Sequence, residues 1–193
     1  MSPQAPSRGR RGPRRRSVRL VVDVVDGRGR RLPAQGLDRW LSKVAAGRAT
    51  GIVTIALVSD RTVRRLNRQY RGVDRATDVL SFPAFDAGPD SSAARSRAEN
   101  DLLVSPPVHR FLGDIVIARG VARRQAMAAQ HDTGTELRLL SLHGLLHLLG
   151  YDHEADGGTM GRLERRLRRA GRLREGLIER VESLGVARAM VTP

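Results

Sequence analysis

The stretch Ser141-Leu142-His143-Gly144-Leu145-Leu146-His147-Leu148-Leu149-Gly150-Tyr151-Asp152-His153-Glu154 places three imidazoles around a helix stop. Leu139, Leu140, Leu142, Leu145, Leu146, Leu148 and Leu149 make an apolar run with no breaker before Gly150, which is the pattern of a buried helix. His143 and His147 are four residues apart, so they share one face of that helix. Gly150 ends it and lets the chain turn back to deliver His153. Three protein ligands leave a tetrahedral ion one open position, the arrangement of catalytic zinc. Structural zinc sites close all four positions, often with cysteine, and this chain has none. Asp152 and Glu154 flank His153 with carboxylates able to orient neutral imidazoles. A helical histidine pair alone reads more simply as two part-buried side chains satisfied by hydrogen bonds. The third histidine, the helix break and the two acids turn the reading toward one metal ion held by His143, His147 and His153.

One position narrows the chemistry. Metalloproteases with the HExxH motif carry a glutamate directly after the first histidine as general base, and here that position is Gly144. That residue argues against a peptidase of that type. His109 and His131 stand in Pro-rich or polar surroundings without matching spacing and read as surface residues.

Outward from the histidine helix, the chain alternates short β-branched runs with amphipathic ones. Val18 to Val25, Ile52 to Val58, Thr77 to Phe82 and Phe111 to Ala118 read as strands, the third stopped by Pro83 and the fourth interrupted by Gly113 and Asp114. Helices are expected at Leu37 to Ala46, Asp60 to Tyr70 with Asp60 as its cap, Gly120 to Gln130, Thr135 to Leu149 and Met160 to Leu184. The second sets Val63, Leu66 and Tyr70 on one face and Arg61, Arg64, Arg65 and Arg68 largely on the other. This order predicts an α+β fold with one small, about four-stranded mixed sheet packed with helices, the metal site lying on a helix of the C-terminal half. One domain spans residues 17–185, with a mobile, polar insertion at about 84–110, a disordered basic arm at 1–16 and a flexible tail at 186–193.

Charge says what such a domain would meet. Of 35 basic residues all but Lys43 are arginine, against 20 acids, for a net charge of +15. The arm holds six of those arginines, and without it 29 basic residues still face 20 acids. So basic a body favours nucleic acid through phosphate contacts and counterion release, the bland alternative being arginine-biased, solvated helix faces. Aromatic residues are 3% of the chain, too few for extensive base stacking, so backbone and shape recognition is expected. No stretch approaches the ~20 apolar residues of a membrane span, and no secretory pattern is visible, so no membrane partner and a cytoplasmic location are expected.

HGLLHLLGYDH (143–153), LNRQYRGVDRATDVLSFP (66–83) and LGDIVIA (112–118), three separated motifs in the right order, resemble the YbeY family of rRNA-maturation endoribonucleases. The resemblance implies that His143, His147 and His153 ligate one Zn2+ and that His143 and Arg71 are catalytic, Arg71 matching the family's arginine in the YR pair. A guanidinium engages phosphate in a bidentate fork and stabilises charge developing on a phosphodiester. Thr77 and Asp78 match the family's TD pair, and Gly113 and Asp114 its GD pair, with structural or ligand-orienting roles expected for the aspartates. Ala76 stands where the family usually has proline, and Ala118 where a cysteine often ends the strand.

The activity so implied is zinc-dependent, single-strand-specific endoribonuclease action in rRNA processing, including maturation of the 16S rRNA 3′ end, and in ribosome biogenesis. The partners would be ribosomal RNA and the ribosome or its small subunit, with the basic arm adding non-specific RNA contacts. Asp152 and Glu154 are the candidates for a general base. Two other readings stay open at this point: an RNA-binding ribosome-assembly protein with a structural zinc, and a zinc hydrolase of a non-nucleic substrate.

Overall fold

The computed structural model describes residues 19–84, 110–152 and 157–173. The arm, most of the insertion, the tail, His109, His153 and Glu154 lie outside the described residues. Within them, four strands form one sheet: β1 (Leu20–Asp26), β2 (Gly51–Val58), β3 (Val79–Pro83) and β4 (Phe111–Ala118), in the order β1-β2-β4-β3. β1, β2 and β4 run parallel and β3 pairs antiparallel with β4, so the expected mixed sheet is present. Pro83 closes β3, an edge strand, where a missing amide donor is tolerated.

Five helices accompany the sheet among the described residues: α1 (Leu37–Val44), α2 (Asp60–Arg71), α3 (Arg119–Ala128), α4 (Thr133–Leu148) and α5 (Thr159–Ala170). Alternation along β4 sorts them into layers. Ile115 and Ile117 join the larger core with Leu41, Val53, Leu142, Leu145 and Met160, so α1, α4 and α5 cover one face. Val116 and Ala118 point the other way and join Val58, Leu80 and Val63 of α2.

α4 is the central helix. All ten residues from Leu139 to Leu148 are buried, which is why its composition is apolar all round rather than striped. Each fully buried leucine there contributes roughly 1.5–3 kcal/mol relative to exposure. Gly144 lies where α4 presses on the sheet: a Cβ at this position would stand 2.7 Å from Ile115 Cγ2 and 3.0 Å from Ser81 Oγ. Ser81 Oγ donates to the Gly144 carbonyl at 3.2 Å. A glutamate at position 144 has no room, which gives the missing protease base a structural cause.

Several boundaries differ from the periodicity. Ser59, not Asp60, caps α2, accepting from the Thr62 amide through its hydroxyl. Asp60 instead reaches across and accepts from the Gly120 and Val121 amides at 2.8 and 3.1 Å, capping the start of α3. Gly120 makes this possible, since a Cβ there would fall 2.4 Å from a carboxylate oxygen of Asp60. α5 ends at Ala170 rather than continuing from Met160 to Leu184 as one helix. Gly171 stops it, its carbonyl accepting from Trp40 Nε1 at 2.9 Å in a space the indole leaves for glycine alone. Among the described residues no helix is long and apolar enough to cross a membrane.

Candidate active site

The C-terminal half of α4 carries His143 and His147, 0% and 3% exposed. Four-residue spacing turns both rings to one side, edge to face, with centroids 4.7 Å apart and planes at 77°. Their Nε2 atoms lie 3.1 Å from each other. On the far side of the first ring, His143 Nδ1 lies 3.4 and 3.5 Å from the two carboxylate oxygens of Glu164. Arg168, one turn further along α5, donates through Nη2 to Glu164 Oε1 and holds that carboxylate in place.

This chain of contacts favours one tautomer of His143. A carboxylate beside Nδ1 favours the proton there, which leaves Nε2 of His143 with its lone pair facing Nε2 of His147. At 3.1 Å the two nitrogens are joined either by a proton on His147 Nε2 or by a cation held by both lone pairs. Two zinc–nitrogen bonds of about 2.05 Å at the tetrahedral angle would separate the ligand atoms by roughly 3.3 Å, so the pair fits one metal ion. Among the described residues no set of three His, Cys, Asp or Glu side chains gathers to hold a metal. Two donors converge, and the third expected one, His153, is outside those residues.

Arg71 is the last residue of α2, where a cation is favoured by the helix carbonyl end. Its guanidinium is partly buried, and burial pulls its pKa below the ordinary value. Nε and Nη2 are both buried with no hydrogen-bond partner among the described residues. Leaving such donors unsatisfied costs on the order of 1–3 kcal/mol each, a cost an anionic ligand would offset. Tyr70 beside it packs edge-on against Phe82, ring centroids 5.2 Å apart, and Phe82 pairs with Asp114. Leu148 at the end of α4 presses on the neighbouring rung: a Cβ at Gly113 would stand 3.0 Å from Leu148 Cδ2. The ends of α2 and α4 therefore meet the same end of the sheet from opposite faces.

Sequence comparison gives the family. A family model described as Endoribonuclease YbeY matches residues 29–170. The chain belongs to the YbeY endoribonuclease family. An Endoribonuclease YbeY from Solibacter usitatus is 40% identical over 80% of this chain and 92% of its own length. One from Moorella thermoacetica is 43% identical over 64% of this chain and 75% of its own. A solution structure from Thermotoga maritima, 21% identical, covers 88% of this chain and 97% of that one with a TM-score of 0.49.

The motif aspartates of this YbeY-family chain divide. Asp78 is 1% exposed, accepting from the Val79 amide, from Thr77 Oγ1 and from Gln125 Nε2 of α3, which ties the start of β3 to that helix. Asp114 is half-buried, and burial raises its pKa against the opposing effect of a hydrogen bond from Thr54. Gly113 has φ 138° and approaches the Phe82 carbonyl so closely that a Cβ would fall 2.2 Å from it, so its close approach is to β3. On α2, Arg61, Arg64, Arg65 and Arg68 are exposed as expected, though Arg64 is engaged bidentately by Asp74 at 2.7 and 2.8 Å. His131, expected at the surface, is largely buried with Nε2 3.0 Å from the buried carboxylate of Glu136.

Sequence reasoning misses Glu164 and Arg168 among the alternating charges of the last helix. A signal is nonetheless present. Met160, Leu163, Glu164, Leu167 and Arg168 fall at i, i+3, i+4, i+7 and i+8, so the two charges occupy the apolar stripe and are buried with it.

Proposed function

We propose that this chain is a zinc-dependent endoribonuclease acting on single-stranded ribosomal RNA in the cytoplasm, in rRNA processing that includes the 16S rRNA 3′ end. The observation that carries this reading is the 3.1 Å convergence of His143 and His147 Nε2 inside the core, with Glu164 behind His143. Family membership supplies the substrate class. His143, His147 and His153 would hold the ion, and Glu164 with Arg168 orients the His143 ring. When bound, zinc supplies Lewis acidity, bringing the pKa of water from ~15.7 to about 7.

Arg71 does the remaining work on the substrate. Its Nε and Nη2 donors, already stripped of water, bind a phosphodiester and strengthen as negative charge grows on the phosphoryl oxygens. Because the donors are ordered before substrate arrives, little reorganisation opposes the reaction. The ribosome, or its small subunit, would present the strand, and the exposed arginines of α2 would attract it in a salt-dependent way.

Metal analysis of the purified protein, with RNA cleavage followed before and after chelation, tests the reading. About one zinc per chain is expected. His143→Ala should lose both the metal and at least about 10³-fold in cleavage. Undiminished cleavage by metal-free His143→Ala protein would sink the proposal. RNA binding with no metal-dependent turnover would favour the assembly-factor reading instead.

A further inference from the structure

A large cavity lies away from the histidines, neither of which lines it. It is a crevice of about 1280 Å³ at the carboxyl ends of the parallel strands, between the end of β1 (Asp26, Gly27) and the end of β2 (Val58, Ser59). The topology makes it. After β1 the chain leads to α1 on one face, and after β2 it leads to α2 on the other, so the two connections diverge and leave a gap at the strand ends. Open sheets bind ligands at such a switch point.

Its walls are cationic. Arg28, Arg30, Arg119, Arg123 and Arg138 line it, with Asp26 and Asp132 as acids. Asp26 is taken by Arg30 at 2.8 Å, and Asp132 is occupied as the cap of α4, accepting from the Thr135 amide and hydroxyl. Arg28, Arg119 and Arg123 form no ion pair among the described residues, whereas Arg138 acts on the Asp132 carboxylate and has a buried Nε with no hydrogen-bond partner among them. Arg119 and Arg123 are one turn apart on α3 and share a face. The helix amides nearby are largely spoken for by Ser59, Asp60 and Asp132, so the guanidiniums are the anion-binding groups.

We propose that this crevice docks the sugar–phosphate backbone of an RNA strand at a distance from the histidine pair. It rests on the reading of RNA as the substrate and adds a second binding region to it. Arg28, Arg119 and Arg123, three guanidiniums with no acidic partner among the described residues, suit several phosphates better than one. The cavity exceeds the roughly 300–1,000 Å³ of small-molecule sites, and no aromatic side chain lines it, so backbone binding is favoured over an enclosed base. α4 links the two regions: Thr133 borders the crevice and His147 lies fourteen residues on, about 21 Å along the axis. A strand reaching both would be held in the crevice as well as at the histidines.

Arg119→Ala/Arg123→Ala in the full chain tests this, against Arg39→Ala/Arg166→Ala, an equal charge change on positions outside the crevice. Binding is read by anisotropy over a salt series with labelled single-stranded RNA, and with single-stranded DNA of the same sequence, which has the same phosphates and is not a ribonuclease substrate. The crevice pair should weaken both probes by at least about tenfold at low salt. It should also flatten the salt slope by about 1.4, that is ~0.7 for each of two phosphates left without its arginine. A change no greater than that of the control pair overturns the proposal. So does loss of inorganic pyrophosphate binding with nucleic-acid affinity intact, since the crevice would then serve a small phosphorylated ligand. The readout needs no turnover, so it stands apart from failure of the zinc-nuclease reading.

Discussion

His143 and Arg71 are both polar groups placed at the same end of one sheet, and the protein treats them oppositely. His143 is backed by a carboxylate that is itself held by an arginine, so its outward nitrogen is ready for a cation. Arg71 has two buried donors with no partner among the described residues, so it is ready for an anion. The imidazole has its support built in, whereas two donors of the guanidinium are left open among the described residues. Under the proposed function, the reactive site is assembled from one satisfied network and one group left unsatisfied.

The sharpest way to break that comparison is to replace the unsatisfied group by one of similar length and no charge. Arg71→Met should lower RNA cleavage by about 10²–10³-fold while leaving metal content intact. The same variant should unfold no more easily than the parent, and removing two unpaired buried donors should raise stability by about 1 kcal/mol. Denaturant titration beside a cleavage assay reads both. A variant that loses stability instead would mean that Arg71 has an internal partner and that its place in the comparison is wrong.

Glu164→Gln attacks the satisfied side. The amide keeps the shape but no longer favours a proton on His143 Nδ1, so zinc affinity should fall about 10–100-fold. It also leaves Arg168 buried opposite a neutral group, which should cost roughly 3–5 kcal/mol of stability. Arg168→Met separates these effects, because Glu164 then keeps its charge toward His143: stability should fall while zinc affinity, measured by competition with a chelator, holds within about threefold. Equal losses of affinity in the two variants would show that rigidity rather than the carboxylate prepares His143.

How much of this is legible in the chain differs between the two sides for a physical reason. The histidine helix is legible because an unbroken apolar run with a four-residue histidine spacing admits few other conformations. Gly144 is visible in the sequence as a missing base, and its packing against Ile115 supplies the reason. The sheet is legible from β-branched runs, with strand ends shifted by a residue or two. Glu164 and Arg168 are hidden because charges are ordinarily solvated, and a five-residue stripe containing two of them resembles a surface. Local pattern assigns Asp60 to the wrong helix, because the amides it caps, at Gly120 and Val121, lie sixty residues away and are brought close by folding alone. Arg71 has no local signature at all among 34 arginines; the motif around it singles it out, and only its burial shows why.

α2 repeats the contrast within a single helix, with Asp60 at its start fully engaged and Arg71 at its end without a partner among the described residues. Burial works against the Asp60 charge, but the Arg124 side chain and the Val121 and Gly120 amides more than offset it, and the carboxyl lies below its ordinary value. A lowered carboxyl pKa contributes stability that is present above the unfolded value, about 3.9, and is lost as pH falls through the folded one. Asp60→Ala should therefore cost about 1 kcal/mol at neutral pH, the usual range for removal of a helix cap, and the gap to the parent should close in acid. Zinc content, and RNA turnover at saturating RNA, should stay at parental levels, because Asp60 lies at the opposite end of the sheet from the histidines. A deficit that persisted unchanged in acid would assign the effect to packing around Gly120 rather than to the charge, and a parallel fall in turnover would show that α3 carries strain from the crevice end to the histidine end.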